Sequence, residues 1–133
     1  MNAFISFGES SVLALGNHPH GVGWKAARNH QMITGNSLFS FDLQNESLST
    51  SGISQGDTGN MGQILNPVRG ITDTRYHHIS IKSSSATEAE ILSTAMIAAN
   101  EAEREKILSH FPKCQAVGIA YDRDGKATVD MLT

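Results

Sequence analysis

Apolar residues in the first half of the chain occur in short runs that are separated by turn-forming residues. Runs of this length, bounded by Gly, Asn, Asp and Ser, are typical of β-strands. We expect residues 46–51 to pair with residues 37–43 across a turn at Gln44-Asn45, and we expect 52–63 to form an irregular loop. The pattern therefore predicts strands at 3–7, 11–15, 24–27, 37–43, 46–51 and 76–81.

The spacing of apolar residues becomes helical after residue 84. Apolar side chains recur at intervals of three and four, as on one face of a helix, at Ile91, Leu92, Ala95, Met96, Ala98 and Ala99. Two capping boxes can begin this helix, either Ser85 with Glu88 or Thr87 with Glu90.

A second helix and a hairpin are predicted to complete the chain. Asn100 with Glu103 is a capping-box variant, and the helix it begins is expected to end near Phe111, before Pro112. Residues 116–121 and 127–131 flank an Asp-Arg-Asp-Gly turn and predict a β-hairpin. This order of elements favours an α+β fold, in which an antiparallel sheet carries two helices packed on one face. The length of 133 residues fits a single domain spanning 1–133.

Composition excludes several classes of function. The net charge of −3 gives no basic surface for nucleic acid or an anionic membrane. Cys114 is the only cysteine, so an intramolecular disulfide is excluded. No apolar run approaches the ~20 residues of a membrane span. No signal peptide is predicted either, which makes the cytoplasm the default expectation.

Six segments resemble, in order, the C-terminal half of the ApbE family, the FAD:protein FMN transferases. They include a strand–glycine–strand opening, a Thr-Ser-Gly turn, an Asn-Pro-x-x-Gly loop and an Ala-Glu-x-x-x-Thr-Ala helix. The resemblance implies a T-fold-like sheet and leaves out the N-terminal half of the family, which carries part of the flavin pocket. The segments are 5–16, 23–25, 49–52, 66–70, 89–95 and 122–126.

Glu90 and Thr94 are the candidate metal ligands. Residues four apart lie on one face of a helix, and carboxylate and hydroxyl oxygens suit a hard cation such as Mg²⁺. In the family, an Asp and a Thr at this spacing bind the metal that grips the FAD pyrophosphate, and Glu90 stands here at the Asp position. The structural alternative is that Glu90 caps the helix from Thr87 while Thr94 bonds back to the helix backbone.

The resemblance places Gln63 where the family has a catalytic His. Glutamine takes up no proton at neutral pH and cannot serve as a general base. The following loop is also changed, because Asn66 replaces the family Asp. An alternative base is offered by His77 and His78, which follow the loop, although strand residues alternate and only one of the two can face a given pocket.

Ser51 and Gly52 fall where the family turn approaches the flavin, although an ordinary turn at a strand end would look the same. The implied activity is Mg²⁺-dependent transfer of FMN from FAD to a protein threonine, with a second chain or a second copy completing the site. The expected partners are a flavin nucleotide and a protein acceptor, in a homo-oligomer. The alternatives are a catalytically inactive flavin- or nucleotide-binding protein and a structural oligomeric module.

Overall fold

The computed structural model describes residues 1–8, 10–29, 35, 37–52, 64, 66–68, 70 and 75–133. In these residues the chain forms eight strands and two helices. The strands are β1 Ala3–Phe7, β2 Ser11–Leu15, β3 Trp24–Asn29, β4 Ser37–Leu43, β5 Glu46–Gly52, β6 His78–Ser83, β7 Gln115–Tyr121 and β8 Ala127–Met131, and the helices are α1 Ala86–Ala98 and α2 Glu101–His110.

Six strands form one antiparallel sheet in the order β1-β2-β5-β6-β7-β8, and β3 pairs with β4 in a separate two-stranded ribbon. Helix α1 packs on β5 and β6, and α2 contributes Ile107 and Leu108 to the same core. The predicted α+β fold, with two helices on one face of an antiparallel sheet, is confirmed. No helix in the described part of the chain has the length and apolar character to cross a membrane.

The predicted pairing of β4 with β5 is wrong, although both strands exist. β5 is buried on both faces, since Leu48 packs towards the ribbon and Ser49 lies beneath α1. A strand buried on both faces belongs in the centre of a sheet, and both edges of β5 are taken by β2 and β6. β4 instead packs across the face of the sheet, where Leu43 joins Leu48 in a small core.

The caps define both helices. Ser85 is the N-cap of α1 and accepts a hydrogen bond from the Glu88 amide, so the helix begins with the first of the two predicted boxes. Glu88 does not close that box, because its carboxylate accepts from Ser83 and from the Cys114 thiol. Asn100 forms the complete capping box with Glu103 that begins α2, as predicted.

Two apolar cores lie on opposite faces of the large sheet. The larger one fills the space between the sheet and the helices, and it includes Ile79, Ile81, Met96 and Ile97. The smaller one lies between the sheet and the ribbon. Because opposed residues of an antiparallel pair share a face, the partners Ser11, Ser49 and Ile81 all lie on the helix side of the sheet.

Candidate metal centre

A cluster of side-chain hydroxyls, called the hydroxyl cluster below, interrupts the apolar contact between α1 and the sheet. Ser49 on β5 and Ser93 on α1 are 2% and 0% exposed, and their Oγ atoms are 3.2 Å apart. Buried hydroxyls are costly unless they are hydrogen-bonded, and both of these serines have further partners. Ser93 Oγ lies 2.8 Å from Ser51 Oγ, and Ser51 Oγ lies 3.1 Å from Thr94 Oγ1.

The carboxylate of Glu90 lies at one end of the hydroxyl cluster. Oε2 accepts a hydrogen bond of 2.6 Å from Ser11 Oγ on β2 and one of 2.7 Å from Ser49 Oγ. These two bonds, that of Ser11 first, lower the pKa of Glu90 below its ordinary value of 4.5, because they stabilise the charged form. Glu90 is therefore an anion at neutral pH, and its side chain is exposed beside the sheet.

The structure brings the two predicted metal ligands together. Glu90 and Thr94 lie on one face of α1, and both contact the hydroxyl cluster, Glu90 through Ser49 and Thr94 through Ser51. Thr87 lies inside the helix and caps nothing, so the alternative role for Glu90 as its capping partner is wrong. The alternative for Thr94 has some support, since its Oγ1 lies 3.4 Å from the Glu90 carbonyl oxygen.

The donor set suits a hard cation that is shared with a phosphate. Both described bonds to the carboxylate go to Oε2, which leaves Oε1 for a further ligand, and Thr94 adds a neutral oxygen. Within the described residues, no three His, Cys, Asp or Glu side chains gather as a metal cluster. One carboxylate with neutral oxygens matches Mg²⁺, which keeps several waters and takes substrate phosphates.

Ser51 and Gly52 lie at the end of β5, on opposite faces of the sheet. Ser51 turns towards α1, where it bonds Ser93 and Thr94. Gly52 is paired with His78, and a Cβ at position 52 would overlap the His78 ring.

His77 and His78 do not join Glu90. His78 lies on the sheet face opposite α1, and burial, followed by the charges of Arg28 and His77, lowers its pKa. His77 precedes β6, and its Nδ1 accepts a hydrogen bond of 3.2 Å from the Tyr121 amide. Both rings make edge contacts with the ring of Tyr121, although we expected them to point apart.

The predicted base position and its loop have different outcomes. Gln63 lies outside the described residues. Asn66 is buried, and its side chain lies 3.4 Å from the Ala98 carbonyl oxygen and 3.5 Å from the Glu103 carboxylate. Asn66 thus contacts the junction of the two helices.

Ser11, Ser49 and Ser93 contact Glu90 or one another, and the sequence alone did not predict these contacts. The signal for Ser49 was the alternation of serines at 47, 49 and 51 within a strand. Residues at intervals of two share one face, so this alternation puts hydroxyls on a face that a helix covers. Ser11 had no comparable signal, because its role depends on the pairing of β2 with β5.

Comparison with solved structures shows the same fold in proteins of much greater length. The ApbE protein of Thermotoga maritima matches at a TM-score of 0.74 and 19% identity, over 98% of this chain and 42% of that one. The flavin transferase ApbE of Vibrio cholerae matches at 0.71 and 18% identity, over 96% and 41%. The Pseudomonas stutzeri flavinyl transferase ApbE matches at 0.70 and 18% identity, over 96% and 40%.

The chain thus spans about 40% of the length of these structures. A search of the curated proteins found no match. The sequence model of the ApbE family matches residues 1–118, which include both helices, strands β1 to β6 and the first part of β7. The chain therefore belongs to the ApbE family.

Proposed function

We propose that this chain carries the metal-binding part of an ApbE-type flavin transferase site, with Glu90 and Thr94 as ligands of Mg²⁺ that grips the FAD pyrophosphate. The observation that carries the proposal is the placement of an ionised carboxylate and a hydroxyl on one exposed helix face, both tied to the sheet. The similar solved structures are named flavin and flavinyl transferases, which supports flavin as the ligand class.

The single negative charge of the donor set favours a nucleotide ligand. Glu90 offers one carboxylate oxygen beyond its two serine bonds, and Thr94 is neutral. A divalent cation held by one carboxylate keeps a net positive charge, which the FAD pyrophosphate can neutralise. When bound there, Mg²⁺ would polarise the pyrophosphate and stabilise the charge that develops as its bond to AMP breaks.

We place the flavin beside the end of β5, in the single domain formed by residues 1–133. The backbone of Ser51 and Gly52 adjoins the cation site, and because the His78 ring fills the space that a Cβ of Gly52 would take, we place the ligand on the face where Ser51 points. Gln63, at the family His position, supplies no base for the acceptor threonine. Transfer of FMN to a protein threonine then needs a base from a second chain or a second copy.

The edge of the sheet supports completion by another chain. β1 is the end strand, and its Phe4, Ile5 and Phe7 are exposed. An uncharged apolar edge strand readily pairs with another chain unless something covers it. We therefore propose a homo-oligomer or a complex with a chain that supplies the rest of the pocket. The Gln63 substitution favours the alternative, a flavin- or nucleotide-binding module that performs no transfer.

The test of the proposed site is a titration with FAD, followed by flavin fluorescence, with and without Mg²⁺. We expect binding that requires Mg²⁺ and that is lost in Glu90→Gln and in Thr94→Val, because each substitution removes one ligand while keeping the side-chain shape. Glu105→Gln and Thr87→Val are the matched controls, since both residues are exposed, lie on the helices and make no described hydrogen bond with the hydroxyl cluster. If the affinity for FAD is the same with and without Mg²⁺, or is unchanged in both ligand variants, Glu90 and Thr94 do not form the cation site.

Incubation with FAD, Mg²⁺ and a threonine-containing acceptor protein then tests whether copies of this chain alone transfer FMN. Covalent flavin on the acceptor, seen as fluorescence on a denaturing gel, indicates transfer. Binding without covalent flavin excludes an enzyme completed by a second copy, and it is the result expected of the inactive module or of an enzyme that needs a different chain.

The oligomer is tested by sedimentation velocity. Phe7→Asp puts a charge on the exposed edge strand and is expected to yield a smaller species. Val22→Asp is the control, because Val22 is exposed but lies outside the strands. Identical sedimentation of wild type and Phe7→Asp would exclude β1 as the contact.

A further inference from the structure

The seryl hydroxyls of the sheet hold Glu90 from two strands. Ser11 comes from β2 and Ser49 from β5, and the two residues are directly paired across the sheet. Both donate to the same oxygen, Oε2, at 2.6 and 2.7 Å. Two short charge-assisted bonds fix both the position and the rotation of a carboxylate. The carboxylate is thereby held against the sheet through Oε2.

The directions of the hydrogen bonds in the hydroxyl cluster can be derived by counting the protons that each side chain can donate. Each Ser or Thr hydroxyl has one proton to donate, and an ionised carboxylate only accepts. Ser49 donates to Glu90, so the proton in its contact with Ser93 comes from Ser93. Along the rest of the chain of contacts, Ser51 then donates to Ser93, and Thr94 donates to Ser51.

This directional chain leaves the Thr94 oxygen without an incoming proton from the network. A hydroxyl that donates inwards presents its lone pairs outwards, which is the orientation a metal ligand needs. The Glu90 carbonyl oxygen is the competing acceptor, at 3.1 Å from Ser93 Oγ and 3.4 Å from Thr94 Oγ1. Ser93 has one proton, which goes either to Ser49 or to that carbonyl. In both cases the proton between Ser93 and Ser51 comes from Ser51, and the one between Ser51 and Thr94 comes from Thr94.

We propose that Ser49 and Ser11 are positioning residues for the cation site. They hold the Glu90 carboxylate without contacting the cation. This inference rests on the proposed function of Glu90 and Thr94, and it adds two residues from β2 and β5 to that site. Residues that hydrogen-bond to a metal ligand without touching the metal orient that ligand, and losing one costs about tenfold or more in metal affinity.

The test uses Mn²⁺, whose electron paramagnetic resonance signal reports its binding, as a substitute for Mg²⁺ with the same preference for oxygen ligands. Wild type, Ser49→Ala and Ser11→Ala are titrated with Mn²⁺, both alone and with FAD. We expect each substitution to weaken Mn²⁺ binding by about tenfold. Ser49→Thr keeps the hydroxyl on a residue that strands accept, and we expect it to restore most of the affinity.

Ser80→Ala is the matched control. Ser80 is 0% exposed, and it shares a hydroxyl contact of 2.7 Å with Thr50 on the opposite face of the same sheet. It therefore removes a comparable buried hydroxyl pair without touching Glu90. We expect its midpoint of urea unfolding to fall about as far as that of Ser49→Ala, while its Mn²⁺ affinity stays within about twofold of wild type.

The outcomes separate this inference from the proposed function. Wild-type affinity in both Ser49→Ala and Ser11→Ala would overturn the positioning role and leave the cation site intact. Equal weakening by Ser80→Ala would also overturn it, because the effect would then be one of general stability. If the wild type binds Mn²⁺ neither alone nor with FAD, the proposed function fails, and the positioning role fails with it.

Discussion

The Cys114 thiol is predicted to be almost unreactive in the folded protein. It is 3% exposed, and it donates a hydrogen bond of 2.9 Å to Glu88 Oε1. Burial first, and the bond to Glu88 second, raise its pKa from 9.0 to about 11. At pH 8 the thiolate fraction falls about a hundredfold, and the thiolate is the reactive species.

The same pKa makes stability depend on pH in a defined window. A group whose pKa is higher in the folded state stabilises the fold fully below the unfolded pKa, here pH 9. That contribution is lost as the pH rises towards 11, and at pH 10.5 the loss is about 2 kcal/mol. Wild type is therefore expected to lose about 2 kcal/mol more than Cys114→Ala between pH 8 and pH 10.5.

Two assays measure these effects. Reaction with a chromogenic disulfide at pH 8 reports Cys114 alone, because it is the only cysteine. We expect labelling at least about a hundredfold slower in native protein than in urea-unfolded protein. Urea unfolding of wild type and Cys114→Ala at both pH values gives the stability difference. Native labelling at the unfolded rate, or an identical pH dependence in the two proteins, would refute the reasoning.

Three further substitutions test the core, the strand end and the site. Met96→Ala, in a fully buried position, should lower the free energy of unfolding by about 2–5 kcal/mol in urea titrations, whereas the exposed Ile91→Ala should change it little. Gly52→Ala puts a Cβ into the His78 ring and should shift the His78 resonances in NMR spectra, and unchanged resonances would contradict the described packing. Glu90→Asp keeps the charge but shortens the side chain, so it should weaken Mn²⁺ binding relative to wild type. Equal affinity would argue against the role of the hydrogen bonds from Ser11 and Ser49.

The sequence predicts elements better than it predicts their pairing. The strand at 37–43 and the hairpin strand at 127–131 have the predicted bounds, because short apolar runs and turn residues act locally. The pairing of β5 with β2 and β6 joins segments that are far apart in the chain, and local pattern carries no information about it. Burial of β5 on both faces decided that pairing.

The site divides in the same way. Glu90 and Thr94 were predicted as ligands from the family resemblance together with the helical spacing, which fixes which residues share a face. Their partners Ser11 and Ser49 come from strands whose arrangement depends on the tertiary fold. Serine is also common in turns and strand ends, so its type alone marks no site.

The contacts of Glu90 suggest how a departure from the family pattern is accommodated. The resemblance sets an Asp at this position, and the extra methylene of Glu moves the carboxylate further from the helix. In the structure that added length reaches across to the sheet, where Ser11 and Ser49 receive it. A longer ligand has one more rotatable bond and loses more side-chain entropy when it is held in a single geometry. Two charge-assisted hydrogen bonds from adjacent strands offset that cost, and both use the same oxygen, Oε2. The carboxylate and its two serines therefore form one hydrogen-bonded unit, and the identity of residue 90 is best judged together with residues 11 and 49.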